Sequence, residues 1–359
     1  MMRYGDPAHL LPWILSNPQR VGRLDRAGWQ RLIWQARNAD LIGQLEFVLN
    51  EAGVLYAAPA AARRHLAVAA QVADKHAQAL QWELDNLQEA LLPVGVPVIL
   101  LKGAAYGAIR HRAGRGRLFH DIDILVPRHA IETVEVYLIH AGWLGAHTSP
   151  YDERYYREWM HEIPPMEHKN RSSVLDVHHA LVPPTSGIRP NAEVLFEATT
   201  PLAGPWPQFR VLSPEDMAIH CATHLFFGEF HKGLRDLYDF HTLVSAYAPE
   251  HAFWGRLRER SQLLGLERPV ADALRHARRL YETEVPEDSL RTFTQRTRGL
   301  WPGFLRHWLF DQVLRAPHVS AAEGATRMAG WLATVRSHWL RMPVPLLVYH
   351  LSHKLMAHE

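Results

Sequence analysis

The chain has 359 residues, 47% of them hydrophobic and 21% charged, and carries a formal net charge of +2. That is ordinary soluble globular composition, long enough for two domains or for one core with helical additions. The near-neutral charge excludes a global field that demands nucleic acid or an anionic membrane, and the lone cysteine, Cys221, excludes an internal disulfide framework and fits a reducing cytosol.

Residues 1–19 hold Pro7, Pro12 and Pro18 and no continuous apolar core, so no signal peptide is expected. Asp25 is placed to cap a helix running through Trp29, Leu32, Ile33, Ala36, Leu41, Leu45 and Val48, spaced at three and four. A longer helix is predicted after Pro59, with Leu66, Ala70, Ala73, Ala77, Leu80, Leu84, Leu87 and Leu91 on its apolar face. This segment, residues 1–92, is expected to pack on a sheet, and nothing in it asks for chemistry.

Residues 96–101 are an apolar, β-branched run that predicts a buried strand. Lys102 and Gly103 then turn the chain into a short helical run, 104–110, followed by a Gly- and Arg-rich loop, 111–117. A second apolar strand, 119–126, carries Asp121 and Asp123 and stops at Pro127. Residues i and i+2 of a strand share a face, so the two carboxylates project side by side while Ile122 and Ile124 anchor the other face. Two such carboxylates repel unless a cation lies between them. Hard oxygen ligands of this kind suit Mg²⁺ or Mn²⁺ bound with a nucleoside triphosphate. The Lys102-Gly103 turn opens a helix N-terminus that favours phosphate, and Gly103 would let phosphates approach the backbone.

These residues resemble the nucleotidyltransferase-fold superfamily, which includes DNA polymerase β and the aminoglycoside nucleotidyltransferases. Its pattern is a small-residue turn, a D-x-D strand, and a third carboxylate on a later strand. More narrowly, Lys102-Gly103 with Arg117, Asp121, Asp123, Leu125 and Val126 resembles the bacterial "uncharacterised nucleotidyltransferase" family, worded K-G and then R-x-x-G-D-I-D-L-L-V. Lys-Gly replaces the superfamily's Gly-Ser, and His120 stands where this branch has Gly. His120 would therefore crowd the site or add a substrate contact. Arg117 would brace the carboxylates or touch phosphate.

An amphipathic helix is predicted over 130–141. Residues 150–169 then mix tyrosines with Trp159, His161, Glu162, Glu167 and His168, as a strand pair or a substrate-facing loop would. Residues 173–181 predict another strand, on which Asp176, His178 and Ala180 share a face. Asp176 is the expected third carboxylate, completing the metal site and activating an acceptor hydroxyl. The Asp176-Val177-His178 wording resembles the family's D/E-x-H strand, leaving His178 as a structural imidazole or a substrate contact.

After prolines 183, 184, 190, 201, 205 and 207 the chain reads as helical to its end. Ser213, Pro214, Glu215 and Asp216 form a helix start with an N-cap, a first-turn proline and acids. His224, Arg235 and Asp239 match the family's H…R-x-x-x-D signature. The resemblance implies that Arg235 binds the triphosphate and Asp239 orients it, although the spacing alone also fits an ordinary i,i+4 ion pair. His220 and His224 could pair on zinc, but no third ligand accompanies them. Beyond 251, the arginines 256, 258, 260, 275, 278 and 279 suit a basic rim or solvated helix faces, and Trp301, Trp308, Trp331 and Trp339 are expected in the core. The longest apolar run, 343–351, is too short to span a membrane and is accompanied by His350 and His353.

The resulting expectation is an α+β protein. A polymerase β-like core with a mixed sheet (93–212) would be framed by the N-terminal helices and a C-terminal helical domain (213–359). The resemblance implies a cytoplasmic, metal-dependent nucleotidyltransferase that moves an NMP from an NTP to an acceptor, which small molecule, peptide, sugar or RNA would all satisfy. Oligomeric state is left open. The alternatives are a nucleotide-binding module of the same fold with little transfer activity, an RNA-directed, toxin-like transferase, and a phosphotransferase or hydrolase using the same metal site.

Overall fold

The computed structural model describes residues 7–145, 149–188, 190–296 and 303–349. It is an α+β fold built on a mixed, seven-stranded sheet in the order β3-β4-β5-β2-β1-β7-β6. The strands are β1 (Val98–Leu100), β2 (Ile122–Leu125), β3 (Trp143–Gly145), β4 (Met166–His168), β5 (Val174–His178), β6 (Thr200–Pro201) and β7 (Phe209–Val211). β2 runs antiparallel to β1 and parallel to β5, while β1 runs parallel to β7. All of β1 and β2 is buried, as expected for central strands covered on both faces.

The 32-residue helix Ala60–Leu91 braces this sheet. Its Glu83 takes the Arg171 guanidinium at 2.9 Å, and its Asp85 accepts from Trp206 Nε1 at 2.8 Å. Both tie the helix to segments flanking the sheet. Helices Pro214–Phe227 and Gly233–Tyr247 pack against each other, and the first also meets the short helix Lys102–Ala108. Ser213 caps the first of these, accepting from the Asp216 N–H at 3.2 Å. Among the described residues no helix is long and apolar enough to cross a membrane.

Three expectations change. The helix capped by Asp25 (accepting from Gly28 N at 2.7 Å) does not run on to Val48. It divides into Arg26–Asn38 and Ile42–Glu51, because Asp40 takes a left-handed φ of +56° and the Leu41 N–H returns to Ala36 O at 2.8 Å. The second strand begins only at Ile122, so Asp121 lies just before it, exposed, while Asp123 is buried. Trp331 and Trp339 sit on the surface, at 65% and 37% exposure, whereas Trp308 packs partly buried against the core. Trp301, His350 and His353 lie outside the described residues.

Candidate active site

Sheet register builds the floor of the site. The parallel β2–β5 pairing sets Asp123 directly beside Asp176, and strand alternation brings His178 to the same face as Asp176. β1 ends at the adjacent position, where Lys102 turns the chain with φ +45°. Its Nζ reaches Asp123 Oδ1 at 2.6 Å. His178 Nε2 lies 3.0 Å from the same oxygen, and its other nitrogen lies 3.2 Å from Glu162 Oε2. Glu162 is carried there by a β-bridge to His178, from the stretch whose sequence fitted either a strand pair or a loop. Against that expectation the stretch opens as helix, Pro150–Arg154 continued by a π-helical turn Tyr155–Trp159, and only its end is a strand, β4, which pairs with β3 and β5.

The charges on this floor do not balance. Burial alone would push the Asp123 carboxyl up, but Lys102 and His178 outweigh it and hold the group well below the usual carboxylate range. Asp176 has no such support. Burial, then Asp123, Glu162 and Asp121, push its carboxyl up to about 7 against the pull of His178. Its Oδ1 is buried and makes no hydrogen bond among the described residues. His178 is raised because Glu162 and Asp123 together outweigh the burial that would lower it. The Lys102 ammonium is likewise strengthened by Asp123, Asp121 and Glu162, against burial. Four carboxylates thus share one ammonium and one imidazole. A hard divalent cation fits this donor set, for an unpartnered buried oxygen beside three acids is what such an ion would satisfy.

The Lys102 and Asp123 end of this floor opens into a cleft of about 270 Å³ whose opposite wall carries His224 and Arg235 from the two helices Pro214–Phe227 and Gly233–Tyr247, Lys232 from the N-cap of the second, and Arg341 from the end of the helix Thr326–Arg341. Arg235 is buried and binds Asp236 twice, at 3.0 and 2.8 Å. Asp236 also faces His224 Nδ1 at 3.5 Å. Burial opposes ionisation of Asp236, but Arg235 and His224 overcome it and hold the carboxyl well below its usual range. This wall is neutralised from within.

The sequence signature therefore resolves differently from its spacing. Arg235 and Asp239 do not pair. Asp239, 2% exposed, lies behind the cleft and holds Arg117, with Gln44 Nε2 at 3.2 Å on its other oxygen. Asp239 is thus a buried brace rather than a nucleotide contact. Arg117 reaches the cleft lining but is committed to that brace, and its guanidinium lies over the Tyr106 ring. Gly103 is required by this same packing: a Cβ there would sit 2.7 Å from Arg117 Nε and 3.1 Å from the Phe119 ring. Lys102 also departs from expectation, because its ammonium is engaged by a carboxylate. His120 is exposed at the rim and contacts Asp40 Oδ2 at 3.1 Å rather than the floor. The same Asp40 oxygen takes Lys232 at 2.9 Å and lies 3.8 Å from Arg235. His220 is buried, whereas His224 lines the cleft. Arg256, Arg260, Arg278 and Arg279 each pair with acids, so they do not form one open basic rim.

Sequence reading missed Asp40, Gln44 and Glu162. The first two come from the segment that asked for no chemistry, and no local spacing announces a contact across 80 or 195 residues. Glu162 had a faint signal in its polar, aromatic surroundings.

A family model described as "Uncharacterised nucleotidyltransferase" matches residues 25–282, well over half of the chain. Comparison with curated proteins and with solved structures returned no match.

Proposed function

This chain belongs to the uncharacterised nucleotidyltransferase family, and on that premise we propose that it transfers a nucleoside monophosphate from an NTP to an acceptor hydroxyl with release of pyrophosphate. The observation that carries this reading is the register that sets Asp123, which lines the cleft, beside Asp176, whose buried Oδ1 has no hydrogen-bond partner among the described residues, with Lys232, Arg235 and Arg341 also in the lining. Asp121, Asp123 and Asp176 would hold Mg²⁺ or Mn²⁺, which would supply charge neutralisation for phosphoryl chemistry.

The remaining work falls to the chain. Lys102 and His178 keep Asp123 ionised and fix its oxygen in place. Asp176 Oδ1, with no hydrogen-bond partner among the described residues, is the atom to accept the proton or hydrogen bond of the acceptor hydroxyl. Arg235 and Lys232, projecting from the far wall, are the groups to receive the triphosphate, with Arg117 and Gly103 shaping the end of the cleft between them. The acceptor would be a hydroxyl-bearing small molecule, peptide, sugar or RNA.

The test is label transfer. Purified protein is incubated with α-labelled NTPs and Mg²⁺ or Mn²⁺, with and without cell extract, beside an Asp121→Ala, Asp123→Ala variant. Label moving to an acceptor in the native protein only is the expected result. No transfer, and no NTP binding by calorimetry, would overturn it.

A further inference from the structure

We propose a second metal site, formed by His161, Glu162 and His178, that takes a zinc-class transition ion distinct from the hard cation assigned to the aspartates. One ligand atom from each of these three residues lies within 4.8 Å of the other two. His161 and Glu162 are consecutive, and the β-bridge between Glu162 and His178 clamps the two segments together. Two imidazoles and a carboxylate form a ligand set suited to zinc with a position left open. The three aspartates are all-oxygen and suit magnesium.

The geometry gives the first sign of a cation here. His178 Nε2 lies 3.0 Å from Asp123 Oδ1, which turns its Nδ1 toward Glu162 Oε2, 3.2 Å away, so a ring nitrogen and a carboxylate oxygen converge on one point. His161 contributes the second sign: its Nδ1 is buried and makes no hydrogen bond among the described residues. Its ring stands 5.2 Å from that of His178. Carboxylate to imidazole to metal is the usual outer arrangement of zinc histidines, with Asp123 here in the carboxylate's place. Glu162 keeps 24% of its side chain exposed, which leaves an entry path. The competing arrangement is a protonated His178 shared between Asp123 and Glu162 without any ion.

The inference does not depend on NTP chemistry, and its test is spectroscopic. Metal-free protein is titrated with Co²⁺, in excess Mg²⁺ to fill the aspartate site, and the visible d–d bands are followed; Zn²⁺ is then added in competition. One Co²⁺ per chain with an imidazole-type spectrum, displaced by Zn²⁺, is expected. Glu162→Gln and His161→Gln should lose the bands. Asp121→Asn should keep them while losing NTP binding, which separates this site from the proposed transfer site. Asp123→Asn, acting through His178, should weaken Co²⁺ binding about 10–100-fold. Circular dichroism on each variant establishes that the fold is retained. Absence of Co²⁺ binding in the native protein, or an unchanged spectrum in folded Glu162→Gln and His161→Gln, would overturn the site in favour of the protonated His178.

Discussion

The floor and the far wall of the cleft are both built from buried acids, yet they behave in opposite ways. On the wall, Asp236 is matched by Arg235 and His224, and behind it Asp239 is matched by Arg117 and Gln44. On the floor, Asp176 lies beside Asp123 with an oxygen that nothing within the described residues satisfies. Buried charge that is matched internally holds a structure together. Buried charge left short of a counter-ion is a cost that folding alone does not explain, and it marks where a ligand is expected. The motif residues Asp176 and Asp239 were equally eligible as site residues by sequence, and this difference separates them.

The sharpest way to break the comparison is on the floor. Asp123→Asn removes the partner of both Lys102 and His178 as well as a proposed cation ligand, and should lower the rate of nucleotidyl transfer by about a thousandfold or more. Steady-state transfer of α-labelled nucleotide measures it; retention of a tenth of native activity would remove Asp123 from the mechanism. On the wall side the largest effect is on folding. Asp239→Ala leaves Arg117 buried and uncompensated, and should cost roughly 3–5 kcal/mol in urea unfolding. A loss below 1 kcal/mol would mean that the pair is not the brace described.

Asp176→Asn should do the reverse, gaining stability while losing activity. A carboxyl raised from 3.8 to about 7 contributes stability that is fully present below about pH 4 and is lost as pH climbs through about 7. In metal-free protein at pH 8 the substitution should therefore stabilise by on the order of 1–2 kcal/mol, a figure reduced for the group's partial solvent contact. The gain should vanish at pH 4. Thermal unfolding at the two pH values checks it, and equal shifts at both would refute the charge argument. The smallest effect belongs to the rim. Asp40 engages Lys232, His120 and Arg235, which lie where the proposed triphosphate would enter. Asp40→Ala should tighten NTP binding about two- to fivefold at low salt, with less gain at high salt, and change stability by less than about 1 kcal/mol. Calorimetric titration at two ionic strengths decides it; weaker binding would mean that Asp40 positions those cations rather than competing for them.

Much of the site's raw material was legible in the chain. Period-two alternation in two apolar runs was enough to place Asp176 and His178 on one face, and the Lys102-Gly103 turn with the D-x-D strand was enough to point to the family. The N-caps at Asp25 and Ser213 were readable because capping is local chemistry. What failed to read was long-range or marginal. Asp40 breaks its helix with a left-handed residue that no glycine announces. The tryptophans at 331 and 339 follow a helical apolar pattern that ends up facing outward. The Arg235-to-Asp239 spacing allowed a local pair, but each side chain found a better partner elsewhere.

By itself, then, the sequence determined the strand and helix identities of the central region, the class of chemistry, and which acids were available for it. Those depend on interactions within a few residues, where side-chain direction follows from backbone geometry. Only the tertiary structure decided which acids were neutralised. Arg117 and Gln44 reach Asp239 across 122 and 195 residues, and Lys102 and His178 reach Asp123 across 21 and 55. A carboxylate's charge state is set by whatever surrounds it in space, and no spacing along the chain encodes that.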